Sequence, residues 1–189
     1  MYDTSKWDME SMWKILMDKQ NLGVQYHQEM MEIFSLIDMK GYCEWQKYQL
    51  MEESVRATDT RIHYIRRFNK IYVPSYPQET LISKNFLTSN RYSTDNKRKI
   101  IDEVFSKWLE WEESVVELLM ACVQWCIHNQ CSDYLSIEEN LEEVLEEIGT
   151  IRYHYSKLED SKFDMNSILE WQEYIYPKYR EKFYERKKE

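Results

Sequence analysis

The sequence predicts an all-α protein: a four-helix bundle with a long crossover between helices two and three and a short C-terminal fifth helix. Only 3 glycines and 3 prolines occur among the 189 residues, whereas a β-sandwich or barrel needs turn residues about every 8–12 positions. Four long segments instead repeat apolar residues every three or four positions, as the buried face of an α-helix does. One long polar connection separates the second of these segments from the third. These observations favour long packed helices over any sheet.

The first helix is predicted over residues 8–38, and its repeat contains polar residues among the apolar ones. Gln20 and His27 lie seven positions apart and therefore share a helix face. A buried histidine or amide needs a hydrogen-bonding partner or a ligand. The face comprises Trp13, Leu16, Gln20, Gly23, His27, Met30 and Phe34.

The second and third helices are predicted over residues 40–69 and 97–129. On the third, Glu112 lies between Trp108 and Val115 in the apolar repeat. An unpaired carboxylate there would lose several kcal/mol of hydration free energy, so Glu112 needs a cation, a metal or a proton. The apolar face predicted for the second helix comprises Tyr48, Met51, Val55, Thr58, Ile62 and Ile65.

The fourth helix is predicted over residues 133–158 and the fifth over residues 165–183. Glu147 lies nearest to the apolar face of the fourth helix, whereas Glu146 points away from it and is expected to be solvated. Pro177 is expected to kink or end the fifth helix, because proline removes a helix hydrogen bond and clashes with the preceding turn.

The connections predict how the helices are arranged. Short joins near residue 40 and at residues 130–132 favour two antiparallel hairpins. The polar connection over residues 70–96 is about 27 residues long and can cross a bundle of helices that are each about 40 Å long. Two hairpins joined by one crossover differ from a simple up-down-up-down bundle. We assign residues 1–160 to the bundle and residues 161–189 to the C-terminal helix and a basic tail.

Composition excludes several classes of function. The net charge of −9 and the pI of about 5.1 argue against nucleic-acid binding, which needs a basic surface. No apolar stretch is long enough to span a bilayer, and the N-terminus lacks the basic and apolar regions of a secretory signal. The 4 cysteines form no CxxC pair and are expected to be reduced thiols. The sequence therefore indicates a cytoplasmic protein without membrane or nucleic-acid partners.

Several segments resemble the helices of ferritins, which are di-iron carboxylate four-helix bundles. The segment GYCEWQKYQLMEESVRATDTRIHYI, from Gly41, resembles the second helix, where a glutamate pair precedes a histidine. WLEWEESVVELL, around Glu112, resembles the third helix, and NLEEVLEEIGTI, from Asn140, is similar to the fourth. NSILEWQEYIYPKYREKF looks like the short fifth helix of cage-forming ferritins. The first helix fits by position, because Gln20 precedes Glu53 by 33 residues.

The resemblance implies a ferroxidase centre, whose positions carry over one by one. The first-helix glutamate falls on Gln20, the bridging glutamate on Glu53 and the histidine on Arg56. The third-helix glutamate falls on Glu112. Glu52 lies closer than Glu53 to the predicted apolar face, but the motif selects Glu53.

The fourth-helix ligand pair depends on the register of that helix. The core register places the pair on Val144 and Glu147, and a one-residue shift would place it on Glu143 and Glu146. His27 occupies a position where ferritins often carry a tyrosine near the site. The metal ligands that the resemblance implies are therefore Glu53, Glu112, Glu147, Gln20 and His27.

Two of these positions depart from the family pattern. Arg56 stays protonated and offers only hydrogen-bond donors, whereas histidine binds metal through a neutral nitrogen. Gln20 removes one negative charge but can still ligate through its carbonyl oxygen. We therefore expect Arg56 to form a salt bridge with Glu53 and Glu112 in place of the metal pair. This pattern resembles the light-chain type of ferritin subunit, which builds the shell without oxidising iron.

Three functions remain open at the level of sequence. The first is an iron-storage subunit of a homo-oligomeric shell with an impaired ferroxidase centre. The second is a non-enzymatic interaction or structural protein that keeps the bundle and holds no metal. The third is a metal-dependent oxidase of the ferroxidase type with a rearranged carboxylate site. Native mass distinguishes the first from the second, and metal content distinguishes the third.

Overall fold

The structure, a computed structural model, describes residues 2–75, 80 and 92–187. The all-α prediction is confirmed, because these residues form helices and contain no strand. A short 3₁₀ turn at Thr4–Lys6 precedes the long helices. The helices are α1 (Met9–Leu36), α2 (Lys40–Phe68), α3 (Thr94–His128), α4 (Tyr134–Asp160) and α5 (Met165–Arg186).

Side-chain caps explain where three of the helices begin. The Asp8 carboxylate accepts from the Ser11 backbone N–H at 2.7 Å, and the Ser11 hydroxyl accepts from the Asp8 N–H in return. The side chains of Ser93 and Asp164 likewise accept from backbone N–H groups in the first turns of α3 and α5. Such caps satisfy N–H groups that have no partner within the helix. Most of the predicted crossover, at residues 76–79 and 81–91, lies outside the described residues.

Helix pairing follows the predicted hairpins. α1 packs along α2, and α3 packs along α4. The core consists of two apolar clusters, one around Phe105 and Trp108 and the other around Leu16 and Leu119. On α1, Gln20 lies between the two clusters, and His27 lies further along the helix, between Tyr26 and Met30 of the first cluster. A polar layer therefore crosses the middle of the bundle.

The apolar face predicted for the second helix is wrong. Val55, Ile62 and Ile65 are 42%, 38% and 38% exposed. The buried face of α2 is instead aromatic and polar, because α1 and α5 cover a different side of the helix. This buried face comprises Gly41, Tyr42, Trp45, Gln46, Gln49, Glu53, Ala57, Thr60 and Tyr64.

α5 packs along α2 in the same chain direction. The Gly41 N–H donates to the Gln172 side-chain oxygen at 3.3 Å, and the Tyr179 ring stacks on Trp45 at 4.9 Å. The buried Ile168, Ile175 and Tyr179 of α5 join the core around Trp108.

The sequence predicts that Pro177 kinks or ends the fifth helix. In the structure α5 does not end there but continues to Arg186. The carbonyl that Pro177 leaves unpaired belongs to Glu173, and both residues are exposed, so water can bond that carbonyl. Buried Ile175 and Tyr179 hold the helix on either side of the proline. None of the helices in the described ranges combines the length and the apolar character needed to cross a membrane.

Candidate metal centre

His27 supplies an imidazole nitrogen to the polar layer and is almost fully buried, at 1% exposure. Its Nδ1 lies 2.8 Å from the Gln46 side-chain oxygen. In the neutral ring, Nδ1–H donates to this oxygen, which leaves Nε2 as a bare acceptor. Nε2 has no hydrogen-bond partner among the described residues, and it faces Glu112 Oε1 at 3.6 Å. Metal-binding histidines are typically oriented in this manner, through a hydrogen bond on the other nitrogen.

Glu112 supplies a buried carboxylate from α3, where the sequence predicted one. Its exposure is 2%, and Oε1 accepts a hydrogen bond from the Trp108 indole at 3.1 Å. Trp108 lies one turn earlier on the same helix. The indole fixes one carboxylate oxygen beside His27.

Glu147 brings a second carboxylate from α4. The Gln49 side-chain amide donates to it. One ligand atom from each of His27, Glu112 and Glu147 lies within 4.8 Å of the other two. One imidazole nitrogen and two carboxylates form a donor set that suits Fe(II), Mn(II) or Zn(II).

Arg56 pairs with Glu53, but its second partner is Glu143 and not Glu112 as expected, because Glu112 faces Trp108 and His27 instead. Its guanidinium forms ion pairs with Glu53, three residues earlier on α2, and with Glu143 of α4 at 3.1 Å. The side chains of Arg56 and Glu53 are only 14% and 12% exposed. Burial lowers the pKa of Arg56, but the charges of Glu53, Glu147 and Glu143 outweigh burial and raise it. The guanidinium therefore stays charged and neutralises part of the negative charge of Glu53 and Glu143.

Gln20 and Gly23 complete the α1 side of the layer. Gln20 is 5% exposed, and its side-chain oxygen has no hydrogen-bond partner within the described part of the chain. A Cβ atom at Gly23 would lie 3.4 Å from Glu53 Oε2. The missing side chain lets this carboxylate lie against α1.

The site holds more carboxylates than permanent cations. The pKa values of Glu147, Glu53 and His27 are raised in this environment. Burial raises the pKa of Glu147 well above its usual 4.5, and the charges of Glu112 and Glu53 raise it further. Burial also raises the pKa of Glu53, against the opposing charge of Arg56. Burial alone would lower the pKa of His27, but neighbouring Glu112 outweighs it, so the pKa rises above 6.5. Bound protons thus offset an excess of negative charge that a divalent cation could also neutralise.

A cavity of about 280 Å³ leads from the surface to this site between α2, α4 and α5. Its lining includes Gln49, Arg56 and Glu147, together with Tyr179 and Lys182 of α5. Glu147 therefore borders an open cavity as well as the buried cluster.

The structure places the predicted residues with some differences. It brings together His27, Glu112 and Glu147, and Glu53 is buried where Glu52 is only partly so. Gln20 is buried on the same α1 face as His27. Glu146 is exposed, whereas Glu143, the alternative in the shifted register, contacts Arg56. Sequence reasoning missed the amide partners Gln46 and Gln49, although their spacing from Glu53 by seven and four residues was a readable signal.

We expect Glu147→Gln to flatten the dependence of stability on pH. The pKa of Glu147 is higher in the folded chain than in the unfolded chain, so the folded state retains the extra proton. The free energy of unfolding of the wild type therefore falls as pH rises from about 4.5 towards the raised pKa. Glutamine still accepts a hydrogen bond from Gln49 and does not ionise, so the variant lacks this fall. Urea unfolding in the presence of a chelator, at pH values from about 4 to about 8, measures it.

The matched control is Glu146→Gln, an exposed neighbour on the same helix, which should keep the wild-type pH profile. Equal pH slopes for Glu147→Gln and the wild type would show that Glu147 does not take up a proton on folding.

The fold is similar to that of solved archaeal ferritins. A humanized archaeal ferritin superposes with a TM-score of 0.73 at 15% identity, over 93% of this chain and 96% of that chain. An open-pore ferritin from Archaeoglobus fulgidus gives 0.69 at 17% identity, over 89% and 95%. A closed form of the same organism's ferritin, made by mutagenesis, gives 0.69 at 16% identity, over 93% and 96%. No protein-family model and no curated protein sequence matches the chain. The chain is therefore a ferritin-like helical bundle, as the sequence predicted.

Proposed function

We propose that this chain is a ferritin-like iron-storage subunit that forms an oligomeric shell and lacks a paired-iron ferroxidase centre. The observation that carries the proposal is the buried guanidinium of Arg56, ion-paired with Glu53 and Glu143. A permanent cation there repels Fe(II) and uses the carboxylate expected to bridge two irons. The residues present therefore do not fit a di-iron centre. The role is that of a light-chain-like subunit, with iron as cargo.

Surface properties support assembly into a shell. Val55, Ile62 and Ile65 form an exposed aliphatic face on α2, and such faces are typical of protein interfaces. The net charge of −9 suits the capture of cationic iron on an inner surface. The similar archaeal ferritins include a closed form and an open-pore form, and we propose an assembly of this general kind for this chain.

Native mass and iron loading test the proposal together. Purified protein should sediment as a closed oligomer with a mass many times the 23.4 kDa of one chain. Loaded with Fe(II) in air, it should retain far more iron than its own carboxylates can ligate, without a fast phase of oxygen consumption at two irons per chain. Only monomer at micromolar concentration would exclude storage, because one bundle encloses no cavity. A fast oxidation phase at two irons per chain would exclude the impaired centre.

A second candidate is a single-ion metal protein, favoured by the bare Nε2 of His27 beside Glu112 and Glu147. Here Arg56 neutralises the surplus carboxylates while one divalent ion binds the other three groups. The same titration distinguishes it: one tightly held ion per chain, lost in His27→Gln and kept in His63→Gln, favours this reading. His63 lies outside the cluster, stacked on Trp13.

A further inference from the structure

Four sulfur atoms lie close together at one end of the bundle, away from the candidate metal centre. Cys126 Sγ lies 3.7 Å from Met12 Sδ, and Cys131 Sγ lies 3.6 Å from Met9 Sδ. All four cysteines of the chain are free thiols. The methionines lie in the first turns of α1, and the cysteines lie in the last turn of α3 and just beyond it.

The turn after α3 brings the two cysteines together. The Cys131 N–H donates to the Cys126 carbonyl oxygen at 2.8 Å, so the chain doubles back over the helix end. Both thiols therefore lie at this end of α3, each against a methionine sulfur of α1. The cluster is therefore one group of two thiols and two thioethers.

We propose that Met9, Met12, Cys126 and Cys131 form a binding site for a soft monovalent metal ion, Cu(I). Thiolate and thioether sulfurs select soft metals, whereas iron and manganese sites use oxygen and nitrogen. With metal–sulfur bonds of about 2.3 Å, two sulfurs on one tetrahedral ion lie about 3.8 Å apart. The two sulfur–sulfur distances here are close to that value. In the metal-free protein, each thiol donates its S–H to a thioether.

The surroundings suit such an ion. Met12 and Cys126 are fully buried, and Cys131 is 7% exposed, while Met9 is only partly buried and gives access from solvent. The Asp133 N–H donates to Cys131 Sγ at 3.4 Å, which fixes the position of that sulfur. On binding, each coordinating thiol releases its proton to solvent, and the oxidation state of copper does not change.

A Cu(I) titration tests the site. Under anaerobic conditions with ascorbate, the wild type should withdraw one Cu(I) per chain from bathocuproine disulfonate and gain near-ultraviolet thiolate–copper absorption. Met9→Leu, at the partly exposed edge, should fold normally and weaken Cu(I) binding more than about tenfold. Cys131→Ala should abolish binding. Circular dichroism verifies the fold of each variant.

Two matched variants act as controls. Cys43→Ala removes a partly buried thiol outside the cluster, and Met30→Leu alters a buried methionine in the other half of the core. Both should bind Cu(I) as the wild type does. The proposal is overturned if the wild type leaves all Cu(I) with the chelator, if Cys43→Ala loses binding as Cys131→Ala does, or if Met9→Leu binds as tightly as the wild type. Displacement of Cu(I) by an equal concentration of Zn(II) would also overturn it.

Discussion

Arg56→Ala is expected to lower the free energy of unfolding by about 3–5 kcal/mol, because it leaves the buried Glu53 carboxylate without its cation. The ion pair between Arg56 and Glu53 is at most 14% exposed on either side chain. Urea denaturation followed by far-ultraviolet circular dichroism measures the change. Arg152→Ala is the matched control, since its 2.6 Å ion pair with Glu113 is exposed by 59% and 47%. That control should lose at most about 1 kcal/mol.

Arg56→His extends the test from stability to chemistry. Histidine restores the ligand type that the ferritin resemblance implies here, and it removes a fixed positive charge beside Glu53, Glu112 and Glu147. Fe(II) binding and oxygen uptake should therefore rise above those of the wild type. Equal Fe(II) binding by the two proteins, or Arg56→Ala no less stable than Arg152→Ala, would show that the guanidinium is not what impairs the centre.

Gly41→Ala is expected to destabilise the protein by about 3 kcal/mol or more and to loosen α5, since overpacking against backbone cannot be relieved by a side-chain movement. A Cβ atom at Gly41 would lie 2.0 Å from the Gln172 carbonyl oxygen and 2.7 Å from its carbon. The helices must separate, and Tyr179 then loses its stacking on Trp45. Urea unfolding gives the stability change, and hydrogen exchange in residues 165–186 reports the loosening of α5.

Gly149→Ala is expected to have the opposite effect on stability to Gly41→Ala. Nothing lies within 4 Å of a Cβ atom at this position in α4, so alanine should stabilise the helix by about 1 kcal/mol. If both variants were stabilised, or if α5 kept its hydrogen-exchange protection in Gly41→Ala, the close approach of α2 and α5 would be wrong.

The helical fold could be predicted from the sequence because the buried faces of α1 and α3 consist mainly of large apolar residues at helical spacing. Every residue of the predicted α1 face, from Trp13 to Phe34, is buried. The apolar repeat predicted the wrong buried face for α2, because this helix buries aromatic, amide and carboxylate side chains and exposes Val55, Ile62 and Ile65. Hydrophobic periodicity assumes that aliphatic residues mark the core, and that assumption fails where a helix carries a polar site.

Only part of the candidate site could be predicted from the sequence, because some of its contacts depend on how the helices pack. Glu112 was identifiable because a carboxylate between Trp108 and Val115 needs a partner wherever the helix packs. Glu147 was predicted as a site residue because the helix register that buries Val144 also turns Glu147 towards the core. The contacts of Gln46 with His27 and of Glu143 with Arg56 depend on the positions of three different helices. No spacing within one segment encodes such contacts.

The docking of α5 on its own bundle bears on how iron would enter the proposed shell. The resemblance to cage-forming ferritins implies a fifth helix at the symmetry axes of the shell, but here Tyr179 and Gln172 hold that helix against α2 of the same chain. The axial openings of such a shell would then be lined by other segments. Because α5 also lines the 280 Å³ cavity beside Glu147, access to that carboxylate would depend on how α5 docks within each chain.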